Sequence, residues 1–145
     1  MTVRKVVDYI TSGRRLLVFS HPHLPEAGIQ VPAGTIEPGE PPERAVMREA
    51  LEETGLPRLR LRAYLGVRDF DSAAYGRDEI KRRHFFHLEL EGDAPERWRH
   101  FERYPSEGGT EPIEFELFWA GFPDQVPELK AGLGDLLHLV EVPDR

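Results

Sequence analysis

Between Gly34 and Leu56 the chain reads GTIEPGEPPERAVMREALEETGL. This stretch predicts an α-helix from about Pro42 to Thr54. Pro41 and Pro42 fall where the first turn of a helix tolerates proline, and Gly55 follows as a C-terminal stop. On such a helix Glu49, Glu52 and Glu53 stand at i, i+3 and i+4, which crowds their carboxylates onto one face. Like charges at this spacing repel, so stability alone does not select them. A hard divalent cation such as Mg²⁺ removes the repulsion, can hold phosphate oxygens and can activate water. Val46, Met47, Ala50 and Leu51 supply the apolar side that packs the helix onto a core. Taken by itself, an acidic helix face is more often a solvated surface.

The frame around the glutamates is what separates them from that bland alternative. Gly34 is followed after five residues by Glu40, and after seven more by Arg48-Glu49-Ala50-Leu51-Glu52-Glu53-Thr54-Gly55-Leu56. This resembles the Nudix box, Gly-x5-Glu-x7-Arg-Glu-U-x-Glu-Glu-x-Gly-U with U aliphatic, and every fixed position is matched. Ala50 is small where a larger aliphatic is commoner. The resemblance implies a Nudix-type α/β/α sandwich around a mixed sheet. It implies that Glu49, Glu52 and Glu53 coordinate one or more Mg²⁺ or Mn²⁺ ions, and that Arg48 orients a metal-binding glutamate. A plain surface bridge from Arg48 to Glu52 is the alternative. Gly34, Glu40 and Gly55 are expected to shape the box: Gly34 by close approach, Glu40 by bracing the loop, Gly55 by ending the helix. The implied reaction is attack of a metal-activated water on a phosphoanhydride. The general base is expected to be Glu53 or an acid from a later loop, with Glu102, Glu107, Glu111, Glu114 and Glu116 as candidates.

At 145 residues the chain fits a single domain, 1–145. A formal net charge of −7 argues against a general binder of double-stranded nucleic acid, but leaves a nucleotide substrate open. Without cysteine there is neither a disulfide nor a zinc–thiolate site. No apolar run suggests a signal peptide or a membrane span, so a cytoplasmic location is expected.

Along the chain, Val3–Ile10 and Arg15–Ser20 read as strands, and His21–Ile29 as a loop. Ala33-Gly34 closes a short strand entering the box. Leu59–Phe70, Lys81–Leu90 and Ile113–Phe122 read as further strands, and Asp71–Arg77 as a turn between the first two. Arg97–Arg103 fits a strand or a short helix. Pro127–Val140 reads as a C-terminal helix weakened by Gly132 and Gly134. Strand alternation places Phe86 and Leu88 on one face of their strand, with Phe85 and His87 on the other. His84 and His87 therefore point apart and make no metal pair.

The basic run Arg77, Lys81, Arg82 and Arg83 can contact substrate phosphates or, equally, protect an edge strand by charge. Phe70, Tyr75, Phe85 and Trp98 can stack on a base, although such aromatics more often fill a core. The Phe115, Leu117 and Trp119 face can extend beyond one chain's core, which makes a homodimer possible. The expected function is Mg²⁺-dependent cleavage of a phosphoanhydride in a nucleoside diphosphate linked to another moiety, with nucleoside triphosphates, dinucleoside polyphosphates, ADP-ribose and capped RNA ends all open. The rival is a non-catalytic Nudix-like nucleotide sensor, which has no need of three repelling acids. An isomerase on the same scaffold would be expected to need a catalytic cysteine, and the chain has none.

Overall fold

A computed structural model describes residues 1–102 and 113–143, the side chain of Glu102 excepted. Seven strands form one mixed sheet: β1 (Thr2–Ser12), β2 (Arg15–Ser20), β3 (Ala33–Thr35), β4 (Leu59–Asp71), β5 (Ile80–Leu90), β6 (Arg97–Glu102) and β7 (Ile113–Gly121). Their order is β4-β5-β1-β2-β7-β6, with β3 pairing β1 beside β2. The β1–β5 pair is parallel and the others are antiparallel. One α-helix, α1 (Pro42–Thr54), occurs among the described residues. The α/β class and the mixed sheet are as the sequence predicts, and Arg97–Glu102 resolves to a strand.

Strand β1 is buried on both faces, so alternation decides where each side chain goes. Val6 and Ile10 join Phe86, Leu88, Phe115 and Leu117 under α1, which adds Val46 and Ala50. Val7 and Tyr9 join Phe85, Leu16 and Val18 on the opposite face. Phe115 and Leu117 are buried in the same core as Val46 and Ala50 of α1, and Trp119 packs at that core's margin with its Nε1 donating to the Pro95 carbonyl. Phe115 and Leu117 of the β7 face are thus buried within the chain, while Trp119 is partly exposed. Leu51 lies outside the packed stripe of α1 and is half exposed.

The C-terminal segment departs from expectation. Leu129, Leu133, Leu136 and Val140 do pack on the second face with helix-like spacing. Their backbone, however, forms only short 3₁₀ turns at Lys130–Gly132 and Leu137–Leu139. Ala131 and Gly132 both have positive φ, at 55° and 73°, which a right-handed helix does not allow. Groups from the sheet satisfy the backbone instead. The Tyr9 hydroxyl donates to the Leu133 carbonyl at 2.5 Å and accepts from the Leu136 N–H at 3.3 Å. Arg83 Nη1 donates to the Ala131 carbonyl at 2.5 Å.

Strand β6 finishes α1. Trp98 Nε1 donates to the Thr54 carbonyl and His100 Nε2 to the Glu52 carbonyl, two of the acceptors that a helix end leaves without partners. Gly55, at φ 76°, returns its N–H to the Leu51 carbonyl. The last turn of the helix, which carries Glu52 and Glu53, is thereby held against the sheet. No helix among the described residues is long and apolar enough to cross a membrane.

Candidate active site

The box folds around Arg48. Its Nε and Nη2 each donate to Glu40 at 2.8 Å, a bidentate clamp. Nη2 also donates to the Thr35 carbonyl at 3.1 Å, and Nη1 to Glu49 at 2.9 Å and Glu52 at 3.3 Å. One guanidinium so ties the loop, β3 and the acidic helix face together. Arg48 thus makes the i,i+4 contact to Glu52 and contacts Glu49 and Glu40 besides. Its bonds to Glu40 come first among the interactions holding Arg48 charged, and the same bonds hold the Glu40 carboxyl down at about 2. Glu40 also accepts the Glu37 N–H at 3.0 Å, the loop brace expected of it.

Glu49 and Glu53 are buried, at 6% and 3% exposure, whereas Glu52 is half exposed. The Glu49 carboxyl lies directly over Gly34: a Cβ at position 34 would sit 2.0 Å from Glu49 Cδ. Burial pushes the Glu49 pKa up against the pull of Arg48, and Glu52 adds to the rise. Glu53 accepts the Ala33 N–H at 3.1 Å. Because the Glu49 side chain occupies the space a Cβ would need, Gly34→Ala displaces that carboxylate. Turnover is expected to fall by about tenfold or more, with a melting temperature lowered by a few degrees, as in cases of overpacking. Steady-state kinetics beside a thermal melt checks this, and unchanged turnover would show that the position of Glu49 is unimportant.

Among the described residues no three acidic or imidazole groups converge into a ready cation cage. Arg48 stands between Glu49 and Glu52, and Glu53 is turned to Ala33. The donor chemistry nevertheless fits a hard divalent cation: the candidate ligands are all carboxylate oxygens, two of the three carboxylates are buried, and the chain has no thiolate.

Two further charged residues come from β1, where the sequence reading singled out none. Lys5 is 8% exposed; its Nζ donates to Thr35 Oγ1 at 3.1 Å. Burial lowers its pKa, and Glu53 and Glu49 oppose that shift, so it stands within electrostatic reach of both. Asp8 is fully buried, neither oxygen has a partner among the described residues, and burial followed by Glu49 raises its pKa well above the usual value. The available signal was Lys5 and Asp8 flanking the apolar pair Val6-Val7 in a strand, with Arg4 beside Lys5.

Beside the box a cleft of about 640 Å³ opens on the face opposite α1. Lys5 and Ala33 line its near end, while Arg77, Lys81, Arg83 and Tyr75 line its wall. The basic run is therefore divided. Arg82 points to the other face and pairs with Asp69 at 2.9 Å, and β5 is an interior strand rather than an edge. Tyr75 is half exposed at the cleft, with Phe70 5.9 Å from it. Phe85 and Trp98 pack in the two cores. Glu114 and Glu116 are engaged across strands by Arg99 at 2.7 Å and Arg97 at 2.9 Å. The Glu102 side chain, Glu107 and Glu111 lie outside the described residues.

The NUDIX domain family description matches residues 2–119. Among solved structures, a MutT NUDIX hydrolase from Burkholderia pseudomallei is 28% identical, covering 97% of this chain and 99% of that one, with a TM-score of 0.63. A NUDIX hydrolase from Nitrosomonas europaea is 26% identical over 66% of this chain and 63% of its own, with a TM-score of 0.53. A UDP-X diphosphatase at 18% identity shares the fold, with a TM-score of 0.62; the match covers 96% of this chain and 61% of that protein. No curated protein matches. The chain belongs to the NUDIX family of hydrolases.

Proposed function

We propose that this protein is a divalent-cation-dependent pyrophosphohydrolase. It would cleave a phosphoanhydride in a nucleoside diphosphate linked to another moiety. The observation that carries this is the Arg48-clamped acidic face of α1, tied through the Ala33 N–H bond of Glu53 and through Lys5 to two residues that line the cationic cleft. Glu49, Glu52 and Glu53 would hold Mg²⁺ or Mn²⁺. Bound there, the cation would neutralise phosphate oxygens and lower the pKa of a water. Arg48 fixes Glu49, and Glu40 fixes Arg48. Glu53, anchored by the Ala33 N–H, or an acid from a later loop would accept a proton from the attacking water. Lys5 would offset negative charge where the box meets the cleft. The enzyme is taken to act as a single-domain cytoplasmic protein on a small nucleotide.

The test is hydrolysis of a mixed nucleotide panel with and without Mg²⁺, with products identified by mass. Metal-dependent release of a nucleoside monophosphate is the expected outcome. Tight nucleotide binding without turnover in Mg²⁺ or Mn²⁺ would favour the sensor instead.

A further inference from the structure

The cleft is cationic in a chain whose formal charge is −7. Lys5, Arg77, Lys81, Arg83 and Lys130 line it, and Glu26 is the acidic residue among its described lining. Nearby Glu79 and Asp135 offset part of this charge. Lys5 and Arg83 are direct neighbours across the parallel β1–β5 register, and Lys81 lies two residues further along the same face. Strand spacing and rise put these positions about 5 Å and 7 Å apart. They form a short ladder leading away from the box.

The ladder is built at a cost. Arg83 is 6% exposed, stacked 4.3 Å over Phe70, and one of its five donors is taken by Ala131. Lys5, Arg83 and Arg77 all act to disfavour the Lys81 ammonium, after burial itself. An anion in the cleft relieves such crowding. Ser72 provides an independent sign of one. It lines the cleft at 1% exposure, and its hydroxyl has no partner among the described residues. A buried hydroxyl donor beside crowded cations suits a phosphate oxygen better than the edge of a base.

We propose that the cleft binds a third phosphate in line with the scissile diphosphate, held by Lys81, Arg83 and the Ser72 hydroxyl. Resting on the hydrolase reading, this narrows the substrate class to nucleoside triphosphates and dinucleoside polyphosphates with three or more phosphates. Diphosphate-bridged compounds such as ADP-ribose would leave the ladder unfilled.

Calorimetry on the full chain without divalent cation, with inorganic diphosphate and inorganic tripolyphosphate as probes, separates this from the hydrolase reading. The wild type is expected to bind tripolyphosphate at least about tenfold more tightly. Ser72→Ala, which removes only a hydroxyl without a partner, and Lys81→Gln are each expected to lose most of that preference while keeping diphosphate affinity within about threefold. Equal affinity of the wild type for both probes, or a preference intact in both variants, overturns the proposal. Selective tripolyphosphate binding by a protein that hydrolyses no panel member supports the cleft assignment and removes the hydrolase reading instead.

Discussion

Glu53→Gln is expected to lower kcat by about 10²–10⁴-fold, the range for loss of a positioned general base. The substitution keeps size and geometry. A glutamine carbonyl still accepts the Ala33 N–H that Glu53 holds at 3.1 Å, so the anchor to β3 survives. What disappears is one negative charge at a site that is 3% exposed, where water cannot replace it. Two readouts follow. The melting temperature without cation should stay within a few degrees of wild type, because relief of repulsion from the neighbouring carboxylates offsets the lost attraction to the buried Lys5. The rise in melting temperature on adding Mg²⁺ should shrink with the lost ligand. Glu43→Gln, on the exposed first turn of α1, should change neither quantity. Near-wild-type turnover in Glu53→Gln would falsify the assignment of this carboxylate, whatever the fate of the other two.

How much of this was legible beforehand depended on the range of the interaction. Helix α1 was readable to its ends because its stops are local: prolines at the start and a positive-φ glycine at the finish. The Arg48 clamp was visible in part, since Glu52 and Glu49 are helix neighbours, while the stronger tie to Glu40 depends on how the loop folds back. The C-terminal segment misled for the opposite reason. Its apolar period is real, but Ala131 adopts a positive φ that no local rule requires, and Tyr9 and Arg83 supply the hydrogen bonds that a helix would have made internally. The cleft was the least legible part. It draws on β1, β5, the turn at Ser72–Tyr75 and the segment at Lys130–Leu133, which meet only through sheet order. The basic run reads as one unit in the sequence; alternation along β5 is the signal that separates Arg82 from Lys81 and Arg83, but it does not say which face holds the cleft.

Asp8→Asn is expected to stabilise the protein increasingly as pH rises. Asp8 is fully buried beneath α1 and its carboxyl oxygens have no partner among the described residues. Burial, and then Glu49, raises its folded pKa well above the ordinary 3.8. A raised folded pKa means that the native state binds the proton more tightly than the unfolded chain. The favourable contribution of this group is therefore complete below about pH 4 and is lost as pH rises towards the folded value. Over that window the loss runs at about 1.4 kcal/mol per pH unit. Asparagine has the same shape and does not titrate. The variant and wild type should therefore melt within about 0.5 kcal/mol of each other at pH 4 and diverge above it, the variant becoming the more stable of the two as pH rises. Asp8→Ala separates charge from polarity. It also removes the orphaned polar atoms but leaves a small cavity, so its gain at neutral pH should be smaller than a pure desolvation argument suggests. Thermal melts from pH 4 to 8 without divalent cation give the comparison. A difference between wild type and Asp8→Asn that stays flat across this range would mean that the Asp8 carboxyl is solvated or paired in solution, and that β1 carries no buried acid beside Glu49.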